Sequence, residues 1–506
     1  MKGKKIIKNA LISVYNKNGI KSIVEQLCKL NISIYSTGGT KKYIEDNGFP
    51  VCSIESVTTY PSILEGRVKT LHPKIFGGIL AKRECSKSEN ELKKYEIPTF
   101  DIVIVDLYPF QKTVAEQGPE DEIIEKIDIG GVSLIRAAAK NYKDVVVISE
   151  KNQYQDLLKI METHGNKTTL EIRRFFAEKA FNITSEYDTH IFNYFNEKEI
   201  AFKQSIRKHK ILRYGENPHQ KGIFFGNLNE IIEQVSGKEL SYNNLLDIDA
   251  AINLIAEFKE TTFAILKHNN ACGLASREIL SDAWDDALAG DPISAFGGVL
   301  ITNSTVDLKT AEKINSLFYE VIIAPNYDLN ALELLRVKKN RVILIQKEKS
   351  LISNQTKTVL NGILYQDKDN ITDGKDNMQI VTNTAPSQSQ IIDLEFASKI
   401  CKHTKSNAIV LVKNKQLLAS GVGQTSRVDA LKQAIRKAKK FDFELNNAVM
   451  ASDAFFPFSD CVEIAEKEGI SSVVQPGGSI KDDLSINFCN KVGMSMVMTK
   501  TRHFKH

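Results

Sequence analysis

The feature that most constrains this chain is the alternation of short apolar runs with segments of helical periodicity. Residues 10–14, 32–36, 101–107 and 145–149 read as strands, while 20–30 and 129–140 repeat their apolar residues at helical spacing. Strands that are apolar along most of their length need cover on both faces, and intervening helices provide it. Residues 1 to about 195 are therefore expected to form a parallel sheet between helices. A helical stretch over 170–195 closes this part, and the charged segment 196–210 reads as a linker.

After residue 210 the pattern restarts. Strands are expected near 223–225, 263–266, 299–301 and 321–323, and helices at 247–258 and 278–288. The polar stretch 366–390 marks a second boundary. A further α/β unit follows, with strands at 408–412 and 448–452 and helices at 427–440 and 462–468. No internal sequence repeat stands out. The expected division is 1–198 and 199–506, the second part comprising two units of about 199–370 and 371–506.

At 506 residues the chain is long enough for two to four domains. Its net charge of +5 is too mild to argue for nucleic acid but suits small anionic substrates. No apolar run approaches the length of a membrane span. The basic start leads into residues 6–14, interrupted by Lys8, Asn9 and Ser13, which reads as a first strand and not a signal peptide. Seven scattered cysteines without a Cys-x-x-Cys pair indicate neither a disulfide framework nor a zinc site, and fit a reducing cytoplasm.

Two stretches carry the chemistry. Lys267-His268-Asn269-Asn270-Ala271-Cys272-Gly273 follows the apolar run 263–266, so a cation, an imidazole and two amides sit where a strand ends, a common ligand position in α/β folds. Lys267 can stabilise developing negative charge and His268 can move a proton near neutral pH. His268, directly after an apolar strand, is expected to be partly buried. Arg213-Tyr214-Gly215-Glu216-Asn217-Pro218-His219-Gln220 packs six kinds of hydrogen-bonding side chain into one loop, and the planar fork of Arg213 suits phosphate or carboxylate. Ser36-Thr37-Gly38-Gly39-Thr40, between a strand and a helix, has the composition of an anion-binding turn, with Lys17 able to add charge. Plain alternatives exist for single residues: Asp128 suits a helix cap, Lys140 suits a helix C-terminus, and Asn407 suits a turn.

Arg-Tyr-Gly-Glu-Asn-Pro-His-Gln (213–220) followed by Lys-His-Asn-Asn-x-Cys-Gly (267–273) resembles the bifunctional family that joins aminoimidazolecarboxamide ribotide (AICAR) formyltransferase to inosinate (IMP) cyclohydrolase, and the resemblance runs over about 10–504. It implies a methylglyoxal-synthase-like fold for the first domain and a shared cytidine-deaminase-like fold for the two later units. The zinc deaminase signature is absent, so no catalytic metal is expected. The implied reactions are formyl transfer from 10-formyltetrahydrofolate to the AICAR amine, then dehydrative closure of formyl-AICAR to IMP, in a homodimer that binds no nucleic acid or membrane.

For ring closure the resemblance points to Lys69, Tyr108, Asp128 and Lys140 as catalytic groups. Ser13, Lys17, Ser36, Thr37, Gly38, Gly39, Thr40, Arg67 and Thr70 would bind the ribotide. For formyl transfer it implies His268 as base, Lys267 as oxyanion stabiliser or acid, and Asn407 as orienting group. Arg213, Tyr214, Asn244, Phe296, Gly297, Glu320, Ser426, Arg427, Arg502 and Phe504 would contact ribotide, and Phe455, Phe458 and Asp460 the folate. Departures from the family pattern are Tyr15, Asn16, Asp106, Ala271 and Lys500, of which Asp106 bears most on the cyclohydrolase site. Rival readings of the first domain are a nucleotide-sensing module and a lyase acting on a small phosphosugar. Lys69, Asp128 and Lys140 together favour ring-closing chemistry.

Overall fold

The computed structural model describes residues 4–66, 68–349 and 351–506. Arg67 lies outside them. The chain divides into one compact unit that ends at Ile206 and a second that starts at Arg207.

Among the described residues the first unit is built on a sheet of five strands in the order Cys52–Ser53, Ser33–Ser36, Asn9–Ser13, Ile102–Val105, Val146–Ile148. Every neighbouring pair is parallel. Leu11, Ile12, Val103, Ile104 and Val147 are fully buried, as strands covered on both faces require. The 26-residue helix Leu170–Phe195, capped by Thr169, supplies part of the cover through Phe176, Ala177 and Ala180. Asn9–Ser13 pairs with the chain's next strand on one side and with Ile102–Val105 on the other. The carboxyl ends of these strands meet at a topological switch point, where such sheets open a crevice.

Among the described residues the second unit holds a mixed sheet of twelve strands. Its order is Ile232–Ser236, Val342–Gln346, Val321–Ala324, Val299–Thr302, Thr262–Lys267, Asn270–Ser276, then Gln416–Gly421, Ile409–Lys413, Val449–Ser452, Ser472–Gln475, Ser495–Met498, Gln379–Ile380. The second six strands repeat the first six in reverse spatial order. A separate exposed hairpin, Asn354–Val359 with Gly362–Asp367, precedes the second half and is not foreseen from sequence.

The structure therefore contains the repeat that inspection of the sequence does not reveal. Helices Tyr242–Ile255 and Gln388–Lys402 both start with a capping box, Ser241 with Asn244 and Ser387 with Gln390. Each is followed by a strand hairpin with a two-residue turn in left-handed backbone: His268 and Asn269 (φ 51° and 65°), Asn414 and Lys415 (φ 53° and 52°). Under each turn lies an aspartate of the preceding helix. Asp247 accepts the N–H of Asn269 at 2.6 Å, and Asp393 accepts those of Asn414 and Lys415 at 2.8 and 2.7 Å. These pairs share one offset of 146 positions (241 to 387, 247 to 393, 268 to 414). Caps, turns and apolar faces are retained, while the polar loop residues that catch the eye have diverged.

The two halves join through Asn270–Ser276 and Gln416–Gly421, which run antiparallel with Ala275 opposite Gln416. This pairing sets the turn of the first half beside the open ends of the second half's hairpin. Both regions thereby reach one edge of the sheet.

Candidate active sites

In the first unit the crevice gathers several loops. The N-terminus of helix Gly38–Asp46 follows Thr37, and the backbone N–H groups of Gly38 and Gly39, both exposed, have no intrahelical partner. The hydroxyls around them are already engaged. Ser36 Oγ donates to Ile12 O at 2.7 Å, Thr40 Oγ1 donates to Val14 O at 2.9 Å, and Thr37 Oγ1 donates to Glu55 at 2.5 Å. These three residues shape the turn, and Ser13 ends the adjoining strand. Lys69 adds the charge. A Cβ on Gly66 would lie 2.1 Å from its Cε, and one on Gly38 would lie 3.1 Å from its Nζ, so glycine at both positions leaves room for the lysine. Lys17 shares the neighbourhood, and its pKa is lowered by burial and by Lys69 although Asp106 pulls the other way.

Asp106 has a structural task. Its carboxylate accepts the N–H groups of Tyr15 and Asn16, the latter at 3.0 Å, and so closes the loop after the first parallel strand. Burial raises its pKa. Tyr108 packs edge-on against Tyr15, ring centroids 5.3 Å apart, with its own pKa raised by burial and then by Asp128. Asp128, nearly buried, accepts Gly131 N–H at 2.6 Å, while its backbone N–H donates to Tyr187 Oη at 2.9 Å. A Cβ on Gly131 would collide with the Asp128 carboxylate at 2.5 Å. Asp128 thus caps the start of helix Gly130–Lys140, and burial raises its pKa as well. Thr70 Oγ1 lies against Gly130. Lys140 is exposed at the far end of that helix, about 15 Å along its axis. One chain does not bring Lys140 to Asp128.

In the second unit, Lys267 ends its strand and donates from Nζ to Phe296 O at 2.7 Å. The strand runs antiparallel to Val299–Thr302, so its carboxyl end faces the amino ends of the parallel strands, not their carboxyl ends as the general α/β rule suggests. There Gly297, at φ 73°, donates to Phe318 O at 2.8 Å, and the Phe296 and Phe318 rings stand 5.0 Å apart. Asn244 Nδ2 donates to Glu320 at 3.0 Å, and Lys238 lies 3.6 Å from the same oxygen. Arg213 stacks over Tyr214 at 5.6 Å in a loop closed by Gly215 N–H to Gln220 O at 2.7 Å. His268 is exposed in the chain, contrary to the partly buried ring expected from sequence, because the left-handed turn carries it off the end of the strand.

The second half contributes a tighter cluster. Arg427 donates to Asn407 Oδ1 at 2.9 Å and to Asp453 Oδ1 at 2.6 Å. Asn407 Nδ2 donates to Gln424 O at 2.9 Å. Ser426 caps helix Arg427–Lys440. Phe456 is buried, whereas Phe455 and Phe458 are exposed, which separates core from candidate ligand-facing rings. Asp460 opens helix Asp460–Lys467, and Lys481 lies 4.4 Å from the Phe458 ring. Arg502 stacks 4.4 Å over Phe504, both exposed, near the carboxy terminus. Sequence reasoning placed Asn270 in the chemistry-bearing stretch but assigned it no task; its Oδ1 accepts Lys405 N–H at 2.9 Å and its Nδ2 donates to His268 O at 2.8 Å. It missed Asp247; its counterpart Asp393 in an equivalent helix was the available signal.

Two groupings of cations, carboxylates and amides, each at the edge of its own sheet, define a bifunctional α/β enzyme. The chain belongs to the AICARFT/IMPCHase bienzyme family, whose model matches residues 138–437, with an MGS-like domain matched over 19–133. It is 60% identical over 507 residues to the bifunctional purine biosynthesis protein PurH of Bacteroides thetaiotaomicron, covering all of both chains. It is 46% identical to PurH of Caldicellulosiruptor bescii, over 99% of this chain and 100% of that one. It is accordingly an enzyme of purine biosynthesis, an AICAR formyltransferase and IMP cyclohydrolase.

Proposed function

We propose that residues 1–198 close formyl-AICAR to IMP and that 199–506 transfer the formyl group to AICAR from 10-formyltetrahydrofolate, in a cytoplasmic homodimer. The link between Asn270 and Lys405 is the observation that carries the transferase reading, since it ties the Lys267-His268 loop to the loop bearing Asn407.

In that unit, Arg213, Tyr214, Asn244, Phe296, Gly297, Glu320, Ser426, Arg427, Arg502 and Phe504 hold the ribotide. The guanidiniums take its phosphate, and Asn244 with Glu320 offers an amide and a carboxylate to hydroxyls. The exposed Phe455 and Phe458 rings stack on the pterin, and Asp460 pairs with its amide edge. The aromatic amine attacks the formyl carbon as His268 takes its proton. Lys267 stabilises the oxyanion and then protonates the departing folate nitrogen, while Asn407, held by Arg427, orients the formyl oxygen.

In the first unit, the N–H groups of Gly38 and Gly39 with Lys17 bind phosphate, around a turn built by Ser13, Ser36, Thr37 and Thr40. Arg67 and Thr70 extend the grip. The carboxamide nitrogen then attacks the formyl carbon of the same molecule, with Lys69, Tyr108 and Asp128 handling charge and protons before water leaves. Lys140 joins this site from a second copy, which supports the homodimer.

The test is His268→Ala in the full chain. Formyl-transfer kcat should fall about 10²–10⁴-fold while ring closure of supplied formyl-AICAR continues at the parent rate. Retention of transferase kcat, with its loss in His219→Ala instead, would reverse the assignment.

A further inference from the structure

The last six residues form no helix or strand, yet they alternate: Arg502 and Phe504 are exposed, whereas His503 is 4% exposed. His503 Nδ1 lies 2.6 Å from Asp369 Oδ2, and its Nε2 lies 3.2 Å from Asp373 Oδ2. A neutral imidazole donates through one nitrogen only, so two carboxylate partners specify the imidazolium. Asp373 is itself buried and also receives Ser398 Oγ at 2.7 Å and Asn377 Nδ2 at 3.1 Å, which fixes it to helix Gln388–Lys402.

The backbone on either side is tied as well. His503 N–H donates to Asp453 O at 3.1 Å. Lys505 N–H donates to Ser406 Oγ at 3.0 Å, Ser406 N–H returns to Lys505 O at 2.9 Å, and Lys505 Nζ reaches His403 O at 2.9 Å. The segment is thereby sewn to the residues that precede and face Asn407, and Arg502 and Phe504 are left to project from it.

We propose that His503 is a positioning residue for formyl transfer: its doubly paired ring pins the carboxy-terminal segment, keeping Arg502 and Phe504 at the substrate edge, and deprotonation releases them. This rests on the reading of Arg502 and Phe504 as ribotide contacts. The other charged groups nearby are Asp453 with its partner Arg427, Lys505 of the same segment, Lys402 and His403 at the end of the adjoining helix, and Glu257, which follows helix Tyr242–Ile255 and pairs with both. Burial alone lowers the pKa of His503, but Asp373 and Asp369 together outweigh it and leave it raised.

The test uses the full-length protein and two readouts from about pH 6 to about pH 9: KM and kcat for AICAR, and amide hydrogen exchange of residues 501–506. In the parent, the KM for AICAR should rise about tenfold at the alkaline end with kcat little changed, the scale of losing one charge-assisted hydrogen bond. His503→Gln should show the raised KM and faster exchange at every pH. Asp369→Asn, at a side chain that is 41% exposed, changes little packing and should move the alkaline rise to lower pH by about one unit or more. Unchanged exchange in His503→Gln together with an unshifted profile in Asp369→Asn would overturn the proposal. Faster exchange with an unaltered KM would show a pinned segment that does not serve substrate, overturning the positioning role through the failure of the contact reading itself.

Discussion

Asn270 Oδ1 accepts the backbone N–H of Lys405 at 2.9 Å, joining two loops 135 residues apart in the chain. The same side chain donates to His268 O at 2.8 Å. One amide therefore sets the spacing between the hairpin that carries Lys267 and His268 and the loop that carries Asn407. Misplacing a reacting group by about 1 Å can cost about 10²-fold in rate. Asn270→Ala should lower formyl-transfer kcat by about 10- to 100-fold, with ring closure and ribotide binding near the parent values. Steady-state kinetics of both half-reactions check this, and an unaffected transferase kcat would deny Asn270 its spacing role.

Asp247 and Asp393 perform the same task in the two halves, but only the first sits under a turn with proposed chemistry. Asp393→Ala removes an acceptor for two backbone N–H groups and should destabilise the second unit by about 1–3 kcal/mol without changing kcat below its unfolding range. Asp247→Ala removes an acceptor for one, and should additionally lower formyl-transfer kcat by about tenfold or more as the His268-Asn269 turn relaxes. Denaturant midpoints set beside kinetics separate the two. Equal kinetic effects in both variants would contradict the distinction.

Glu257 lies between Lys402 Nζ at 2.7 Å and His403 Nε2 at 2.9 Å, with Thr372 Oγ1 at 2.5 Å. Burial pushes its pKa up, but His403, Lys402 and Thr372 more than offset this and bring it down to about 2. A carboxyl depressed on folding contributes stability above its unfolded pKa and loses it as pH falls toward the folded value. Glu257→Ala should destabilise the second unit by about 3–5 kcal/mol at neutral pH, since it leaves a buried ammonium unpaired. The stability gap between parent and Glu257→Gln should shrink between about pH 5 and about pH 2. Urea denaturation at a series of pH values measures it. A pH-independent gap would show that the carboxylate charge contributes nothing.

Helix Gly130–Lys140 keeps Asp128 and Lys140 at opposite ends, so the proposed cyclohydrolase site draws them from different chains. Asp128→Ala and Lys140→Ala should each abolish ring closure. Co-expressed and randomly assorted, they should recover about a quarter of parent activity, because half the dimers are mixed and each mixed dimer holds one intact site. A purified mixed dimer with no ring-closing activity would refute the arrangement.

Much of this protein is legible along the chain because it is encoded within a few residues. The parallel sheet follows from the apolar runs around Leu11, Val103 and Val147, whereas nothing local separates the exposed Phe455 and Phe458 from the buried Phe456, since the three share one loop. The duplicated second unit was legible in principle, in Ser241 with Asn244 and Ser387 with Gln390, yet capping residues are short signals easily lost among louder loop motifs.

By itself the sequence determined the α/β alternation and the two chemistry-bearing stretches, because propensity and periodicity act over a few neighbouring residues. Only tertiary structure decided which polar groups meet. Asn270 reaches Lys405, Arg427 holds Asn407 to Asp453, and His503 finds Asp369 and Asp373, beside an antiparallel joining of two halves whose register, Ala275 opposite Gln416, brings their loops to one edge of the sheet. It also placed Lys140 away from Asp128, since a helix advances about 1.5 Å per residue whatever its ends are for.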